Sequence, residues 1–262
     1  MDTMKVFSWN IACMPNYVNT FGNVESRLNN IIKFIEIHNP DIISLQEVFS
    51  QNSRDILYNF FTKKKYNVLM SPDTIFLLNG GLFIASKYKI IASDYKIYKN
   101  YIGEDGLCQK GILYCQVKFN NKYINIFNSH LNNDTPLIYY DSKNIPLVKK
   151  KQLNEFLIYI NKIIENNNII NKNDIIYIIT GDLNLEFESN LYNYFIKNLE
   201  YKCSIVSNKN EIITDNIEKK QVDYIINCYN KNLSNIPKEI IYSYSTILKL
   251  SDHCHLIKKI FF

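Results

Sequence analysis

The sequence predicts an α/β fold in which two mixed β-sheets pack face to face and are flanked by helices. The first 70 residues alternate as strand, helix, strand, helix and strand, which is typical of α/β proteins. The second half has more strands, joined by hairpin-like turns, than a doubly wound sheet would have. The chain has 262 residues, 47% of them hydrophobic, and shows no linker, repeat or heptad. We therefore expect one domain spanning residues 1–262.

The first half supplies the alternating elements. The segment KVFSWNIA, residues 5–12, is predicted as a strand, and residues 25–38 have the apolar spacing of a helix. After a break at NPD comes the apolar strand DIISLQEV, residues 41–48. A second helix is predicted over residues 50–63, followed by the strand YNVLM.

The second half supplies most of the strands. Residues 80–90 and 89–101 are predicted as two strands joined by a tight turn, and residues 110–131 alternate on both sides of a two-residue turn at Asn120–Asn121. The remaining predicted elements are a loop over 132–146, a long helix with apolar residues from 153 to 164, a buried strand at 174–180, a helix near 189–199, and two closing strands, QVDYIINC and HCHLIKKIFF.

Charge limits the choice of partner only weakly. The formal net charge of +5 is compatible with phosphate-bearing partners and does not require them. Three short lysine runs, 63–65, 149–151 and 258–259, are interpreted as solvated surface. The scarcity of arginine argues mildly against extensive nucleic-acid contacts.

The cysteines and the apolar segments bear on the cellular setting. None of the six cysteines forms a CxxC pair, which argues against a zinc ribbon or a thioredoxin-type site. No signal-peptide core and no apolar run of about 20 residues is visible. We expect a cytoplasmic monomer with free thiols and no transmembrane segment, and peripheral membrane contact stays open.

Several polar residues occupy the same position, at or just after the end of an apolar strand. Each has an ordinary explanation alone, such as a loop cap or an Asx turn. Strand ends at one edge of a sandwich converge, and loops there commonly carry sites. The residues are Asn10, Glu47, His130, Asp182, Asn184, Asp223, Asp252 and His253.

This set of side chains favours one chemistry. Hard oxygen ligands such as those of Glu47 and Asn10 suit Mg²⁺. An aspartate–histidine pair suits a general base, because the carboxylate orients the imidazole and stabilises its charged form. Together they predict metal-assisted attack of water on phosphorus.

Six short motifs resemble those of a known superfamily. WNI, LQEV, SHL, GDLN, VDYI and SDH occur between residues 9 and 253 in the order found in the endonuclease/exonuclease/phosphatase superfamily, relatives of deoxyribonuclease I. The resemblance implies a four-layered α/β sandwich and a phosphodiesterase that uses Mg²⁺, with Mn²⁺ as a possible substitute. GGLFIASKYKI followed by CQKGILYCQVKF is similar to the neutral sphingomyelinase branch. That branch hydrolyses sphingomyelin to ceramide and phosphocholine.

The resemblance also implies a role for each residue. Glu47 and Asn10 would bind the metal, with Asp252 supporting it. His253 would be the general base, oriented by Asp223. The remaining catalytic residues would be Asp182, Asn184 and a protonated His130. The substrate phosphate would contact Asn184, His130, Asn10 and Lys110.

Some features depart from the pattern and leave alternatives open. The motifs NSHLNN and SDHCHL differ from their relatives beside the two predicted catalytic histidines, and the sequence shows no hydrophobic anchor of the kind by which members of this branch dock on bilayers. A nuclease with the same core, an inositol-phosphate phosphatase and a catalytically inactive binding module are the alternatives. His255 has no role in the resemblance and is interpreted as structural.

Overall fold

The computed structural model describes most of the chain. The described residues are 2–15, 24–73, 78–134, 142–166, 175–199, 202–204, 221–229, 239–244 and 250–261. Residues 135–141 of the loop predicted over 132–146 lie outside them.

Twelve strands and four α-helices are present in the described residues. The strands are β1 (Thr3–Cys13), β2 (Ile42–Val48), β3 (Asn67–Met70), β4 (Phe83–Ser86), β5 (Ile90–Ile97), β6 (Gly111–Phe119), β7 (Lys122–His130), β8 (Ile175–Asp182), β9 (Lys202–Ser204), β10 (Asp223–Tyr229), β11 (Glu239–Tyr244) and β12 (His255–Phe261). The helices are α1 (Val24–His38), α2 (Gln51–Lys63), α3 (Ile145–Asn166) and α4 (Asn190–Asn198). The predicted hairpin is confirmed, and Asn120 adopts a φ of 53° in its turn. Strands β9 and β11 are additions that the sequence did not predict.

The strands form two six-stranded sheets of mixed direction. Their orders are β11-β12-β1-β2-β4-β3 and β5-β6-β7-β8-β10-β9. The prediction of two mixed sheets is therefore confirmed.

The two sheets and the helices form four layers, and an apolar cluster packs between each pair of neighbouring layers. One cluster joins α1 and α2 to the outer face of the first sheet, and includes Phe7, Trp9 and Leu28. A second joins α3 and α4 to the second sheet. The third lies between the sheets, where Val6 packs with residues such as Ile178. Successive side chains of a strand point to opposite faces, so β1 is buried on both sides.

Strand register brings the polar strand ends together. Strands β1 and β2 are parallel, with Asn10 beside Gln46. Strands β7 and β8 are also parallel, and His130 pairs with Asp182. Strand β10 runs antiparallel to β8 and begins with Asp223 opposite Asp182. The polar groups of both sheets thus meet at one edge of the sandwich.

A glycine permits the close approach of two of these strands. Gly181 has a φ of +137° and pairs with Ser129, and a Cβ at this position would lie 1.9 Å from the Ser129 carbonyl oxygen. We expect Gly181→Ala to lower the free energy of unfolding by about 3 kcal/mol, because backbone must move. Urea denaturation tests this. In the control, Gly106→Ala, the new methyl meets a movable tyrosine ring. An equal effect in both variants would contradict the prediction.

Candidate active site

The centre of the site is a buried histidine held by an aspartate. His253 Nδ1 lies 2.8 Å from Asp223 Oδ2. The backbone of His253 is fixed as well, because its N–H donates to Ser251 Oγ at 3.2 Å and its carbonyl accepts from Trp9 Nε1 at 2.8 Å. These bonds leave Nε2 directed at Asp182 Oδ2, at a distance of 3.7 Å.

Carboxylates decide the charge of this histidine. Burial by itself lowers the pKa of His253, but the adjacent Asp223 and Asp182 outweigh it, so the pKa lies well above its ordinary value. The free site therefore favours the imidazolium, and the neutral base forms as the pH rises.

Asp182 contacts residues from both sheets. Its Oδ2 accepts a hydrogen bond from Asn10 Nδ2 at 3.0 Å and lies 3.7 Å from His130 Nε2. Its Oδ1 accepts from the backbone N–H of Asn184 at 2.9 Å. Asp182 thus ties the end of β1 to the ends of β7 and β8.

Glu47 and Asn10 form the oxygen-rich side of the site. Asn10 Nδ2 donates to Glu47 Oε1 at 2.9 Å, and Glu47 has a left-handed φ of 58°. Burial and the nearby Asp252 carboxylate raise the pKa of Glu47 to about 7. Two partly buried carboxylates that repel each other fit a divalent cation, which would offset their charge.

A second group of side chains also fits a metal. Ligand atoms of Asp182, Asp223 and His253 lie within 4.8 Å of one another. A cation there would compete with the 2.8 Å contact between His253 and Asp223. At Glu47 the bond from Asn10 Nδ2 goes to Oε1 and leaves Oε2 for a cation, so Glu47 is the metal ligand in the function proposed below.

A buried lysine supplies positive charge beside His130. Lys110 Nζ lies 2.7 Å from Asp105 Oδ1 and 3.3 Å from His130 Nε2. Burial lowers the pKa of Lys110, but Asp105 more than offsets this and the pKa is raised. Burial and the Lys110 charge hold the pKa of His130 well below its ordinary value. The geometry favours Lys110 over His130 as the cationic donor to a bound phosphate. That His130 is protonated stays a prediction.

Sequence reasoning missed Lys149. This side chain is buried and donates to Asp134 and to the carbonyl of Asn184, whose φ is 48°. Interpretation of the 149–151 run as solvated surface is therefore wrong for its first member. Lys149 lies four residues before the buried Leu153 on α3, and that spacing was the available signal.

His255 lies away from the site, in an aromatic cluster. Its ring stacks on Phe7 with centroids 5.5 Å apart and contacts Phe34 edge-on at 4.5 Å. Burial and the nearby His38 lower the pKa of His255 to about 3. The contacts agree with a structural role.

This cluster predicts an acid-sensitive stability. Unfolded His255 binds a proton as the pH falls through its ordinary pKa, whereas the folded residue does not until about pH 3. The stability that neutral, buried His255 contributes is therefore present above pH 6.5 and decreases below it. Between about pH 7.5 and pH 5, we expect His255→Phe to lose about 2 kcal/mol less unfolding free energy than the wild type. Urea denaturation at both pH values tests this, and equal losses would contradict it.

Comparison with known proteins decides the family. The profile of the endonuclease/exonuclease/phosphatase family matches residues 7–253, which include all eight polar strand-end residues. The chain belongs to this family. Among its described residues, no helix is long and apolar enough to cross a membrane.

Several curated relatives of the chain are sphingomyelinases. A sphingomyelinase of Dictyostelium discoideum is 30% identical over 179 residues, 55% of this chain and 37% of the relative. Sphingomyelinase C of Bacillus cereus is 26% identical over 200 residues, 70% of this chain and 57% of the relative. The resemblance to the sphingomyelinase branch is confirmed. The chain spans about half the length of these curated relatives.

Solved structures share the fold. A beta toxin variant of Staphylococcus aureus, crystallised with bound magnesium ions, has a TM-score of 0.78 at 18% identity, over 100% of both chains. D. rerio TDP2 in complex with a single-strand DNA product has a TM-score of 0.70 at 16% identity, over 99% of both chains. At these identities the likeness concerns the fold alone, and it confirms the four-layered deoxyribonuclease I-like sandwich.

Proposed function

We propose that this chain is a Mg²⁺-dependent phosphodiesterase that hydrolyses a phospholipid such as sphingomyelin to ceramide and phosphocholine. The observation that carries the reaction type is the convergence of the His253–Asp223 pair with Glu47 and Asn10 at one edge of the sandwich. The substrate class is drawn from the sphingomyelinases that match in sequence.

In this proposal His253 removes a proton from the attacking water. Its Nε2 is the ring nitrogen that faces Asp182 and the site, since Nδ1 is engaged by Asp223 at 2.8 Å. Asp223 holds the ring orientation and stabilises the imidazolium that forms. Asp182 and Asn184 position the water and the phosphate. Because the free site favours the imidazolium, activity rises as the pH increases.

Glu47 and Asn10, with Asp252, would hold the divalent cation. When bound, the cation polarises a non-bridging phosphate oxygen and offsets charge on the leaving alkoxide. Lys110 would donate to the phosphate as well. It lies next to His130, and Asn184 is close because both side chains donate to the Leu131 carbonyl. Donors fixed before the reaction stabilise the transition state without reorganising.

Apolar residues beside the site support a lipid substrate. The segment that leads to Lys110 exposes 40% of Ile97, 57% of Tyr101 and 44% of Leu107. With Asp105 and Lys110, Ile97 and Tyr101 line a cavity of about 80 Å³. Exposed apolar groups on the rim suit a lipid better than they suit a polyanionic backbone. The sequence predicted no hydrophobic anchor; Ile97 ends β5, and Tyr101 and Leu107 lie in the segment that connects β5 to β6.

One assay separates the candidate functions. The purified chain is incubated with sphingomyelin micelles, plasmid DNA or an abasic-site duplex, each with Mg²⁺, with Mn²⁺ or with EDTA. We expect lipid cleavage that requires a divalent cation. Cleavage of DNA without lipid would replace the proposal with a nuclease. Lipid cleavage in EDTA would overturn the metal assignment, and no cleavage of any substrate would favour a binding module.

A further inference from the structure

Lysine supplies nearly all cationic side chains of the chain, and both of its arginines are buried. Of the 30 lysines and arginines only Arg27 and Arg54 are arginine, and they are 5% and 3% exposed. Arginine presents five N–H donors in a planar fork, which a lysine ammonium does not reproduce. Arginine therefore occupies positions where one side chain bonds several fixed acceptors.

Arg27 joins two segments that are far apart in sequence. It lies in the first turns of α1 and donates through Nη1 to the carbonyls of Ile11 at 2.9 Å and Leu250 at 2.6 Å. Its Nη2 donates to the carbonyl of Ala12 at 2.6 Å. One guanidinium thus bonds the end of β1 and the segment that precedes β12.

These carbonyls adjoin the reacting groups. Ile11 and Ala12 directly follow Asn10, and Leu250 directly precedes Ser251. Ser251 Oγ donates to the Asn10 carbonyl at 2.6 Å and accepts from the backbone N–H of His253 at 3.2 Å. Arg27 therefore bonds both backbone segments that Ser251 links, one carrying the predicted metal ligand Asn10 and the other the predicted base His253.

We infer that Arg27 is a positioning residue for the catalytic site. Its guanidinium sets the separation between the Asn10 segment and the segment that carries Asp252 and His253. The three bonds described above all go to backbone carbonyls, so Arg27 acts through the backbone that it bonds. The kinetic part of this inference rests on the proposed function, since it presumes that His253 and the metal side act on one phosphate. A misplacement of about 1 Å between such groups is enough to lower turnover about 100-fold.

Arg54 provides a matched control. It is equally buried, and its Nη2 donates to the Ser71 carbonyl at 2.8 Å and to Asp73 Oδ1 at 3.0 Å. We expect Arg27→Lys to lower kcat about 100-fold with KM changed less than about threefold. Arg54→Lys should lower the melting temperature by a similar amount and leave kcat near the wild-type value. Chemical rescue adds a second test, because guanidinium ion but not ammonium should restore turnover to Arg27→Ala.

The only tryptophan gives a readout that does not depend on activity. Trp9 Nε1 donates to the His253 carbonyl at 2.8 Å, so the single indole N–H signal in an NMR spectrum reports the position of this segment. Arg27→Lys should shift that signal and speed its hydrogen exchange, while Arg54→Lys leaves both unchanged. If the wild type hydrolyses nothing, the proposed function fails and the indole signal still tests the positioning role. An unchanged indole signal, or equal loss of kcat in both lysine variants, would overturn the inference.

Discussion

His253→Ala is expected to lower kcat about 1,000-fold on the phospholipid substrate while the protein still folds. The side chain is the imidazole at the centre of the site, with Nδ1 2.8 Å from Asp223 and Nε2 directed into the site. Removing it leaves the metal side and the phosphate donors in place, so KM should change little. Turnover with Mg²⁺ and thermal unfolding measure the two effects separately.

The chain provides a control for loss of a histidine. His38 ends α1, and its ring contacts Phe34 and His255 in the aromatic cluster. His38→Ala should retain turnover even if it lowers stability. Asp223→Asn should give an intermediate loss, because the imidazole remains but its orientation and charge are no longer supported. Near wild-type activity in His253→Ala would refute its role as the base.

Glu47→Gln is expected to abolish most metal-dependent turnover and to weaken Mn²⁺ binding at least about 100-fold. The substitution keeps the size of the side chain and an oxygen that accepts from Asn10, but it removes the charge that a cation needs. The metal-free protein should unfold at an equal or higher temperature, since a partly buried carboxylate that Asp252 repels has been neutralised. Calorimetric titration with Mn²⁺ and thermal unfolding measure the two outcomes.

Two comparisons locate the metal. Asp55→Asn changes a carboxylate on α2, where it accepts from Gln51, and should leave Mn²⁺ binding unaltered. Asp223→Asn distinguishes the two places where ligands gather. If Asp223→Asn abolishes Mn²⁺ binding and Glu47→Gln does not, the cation belongs to the group of Asp182, Asp223 and His253.

The predicted secondary structure succeeded where periodicity was strong. Helices α1 and α3 follow from apolar residues at helical spacing, and the β6–β7 hairpin follows from alternation around Asn120. Strand β9 has three residues, too few for a pattern, so pairing with β10 and not local sequence defines it. Lys149 looked like solvent-exposed charge because a lysine run resembles a surface. Only the packing of α3 against the loop at Asn184 buries it.

The sequence by itself determined the two-sheet architecture, the family motifs and the residues that stand at strand ends. Those features depend on short-range periodicity and residue type, which the chain carries locally. The tertiary structure alone decided which strand ends meet, that Lys110 faces His130, and that Arg27 bonds both halves of the site. Such contacts join residues from about 20 to more than 200 positions apart. They arise from sheet order and register, which no local pattern specifies.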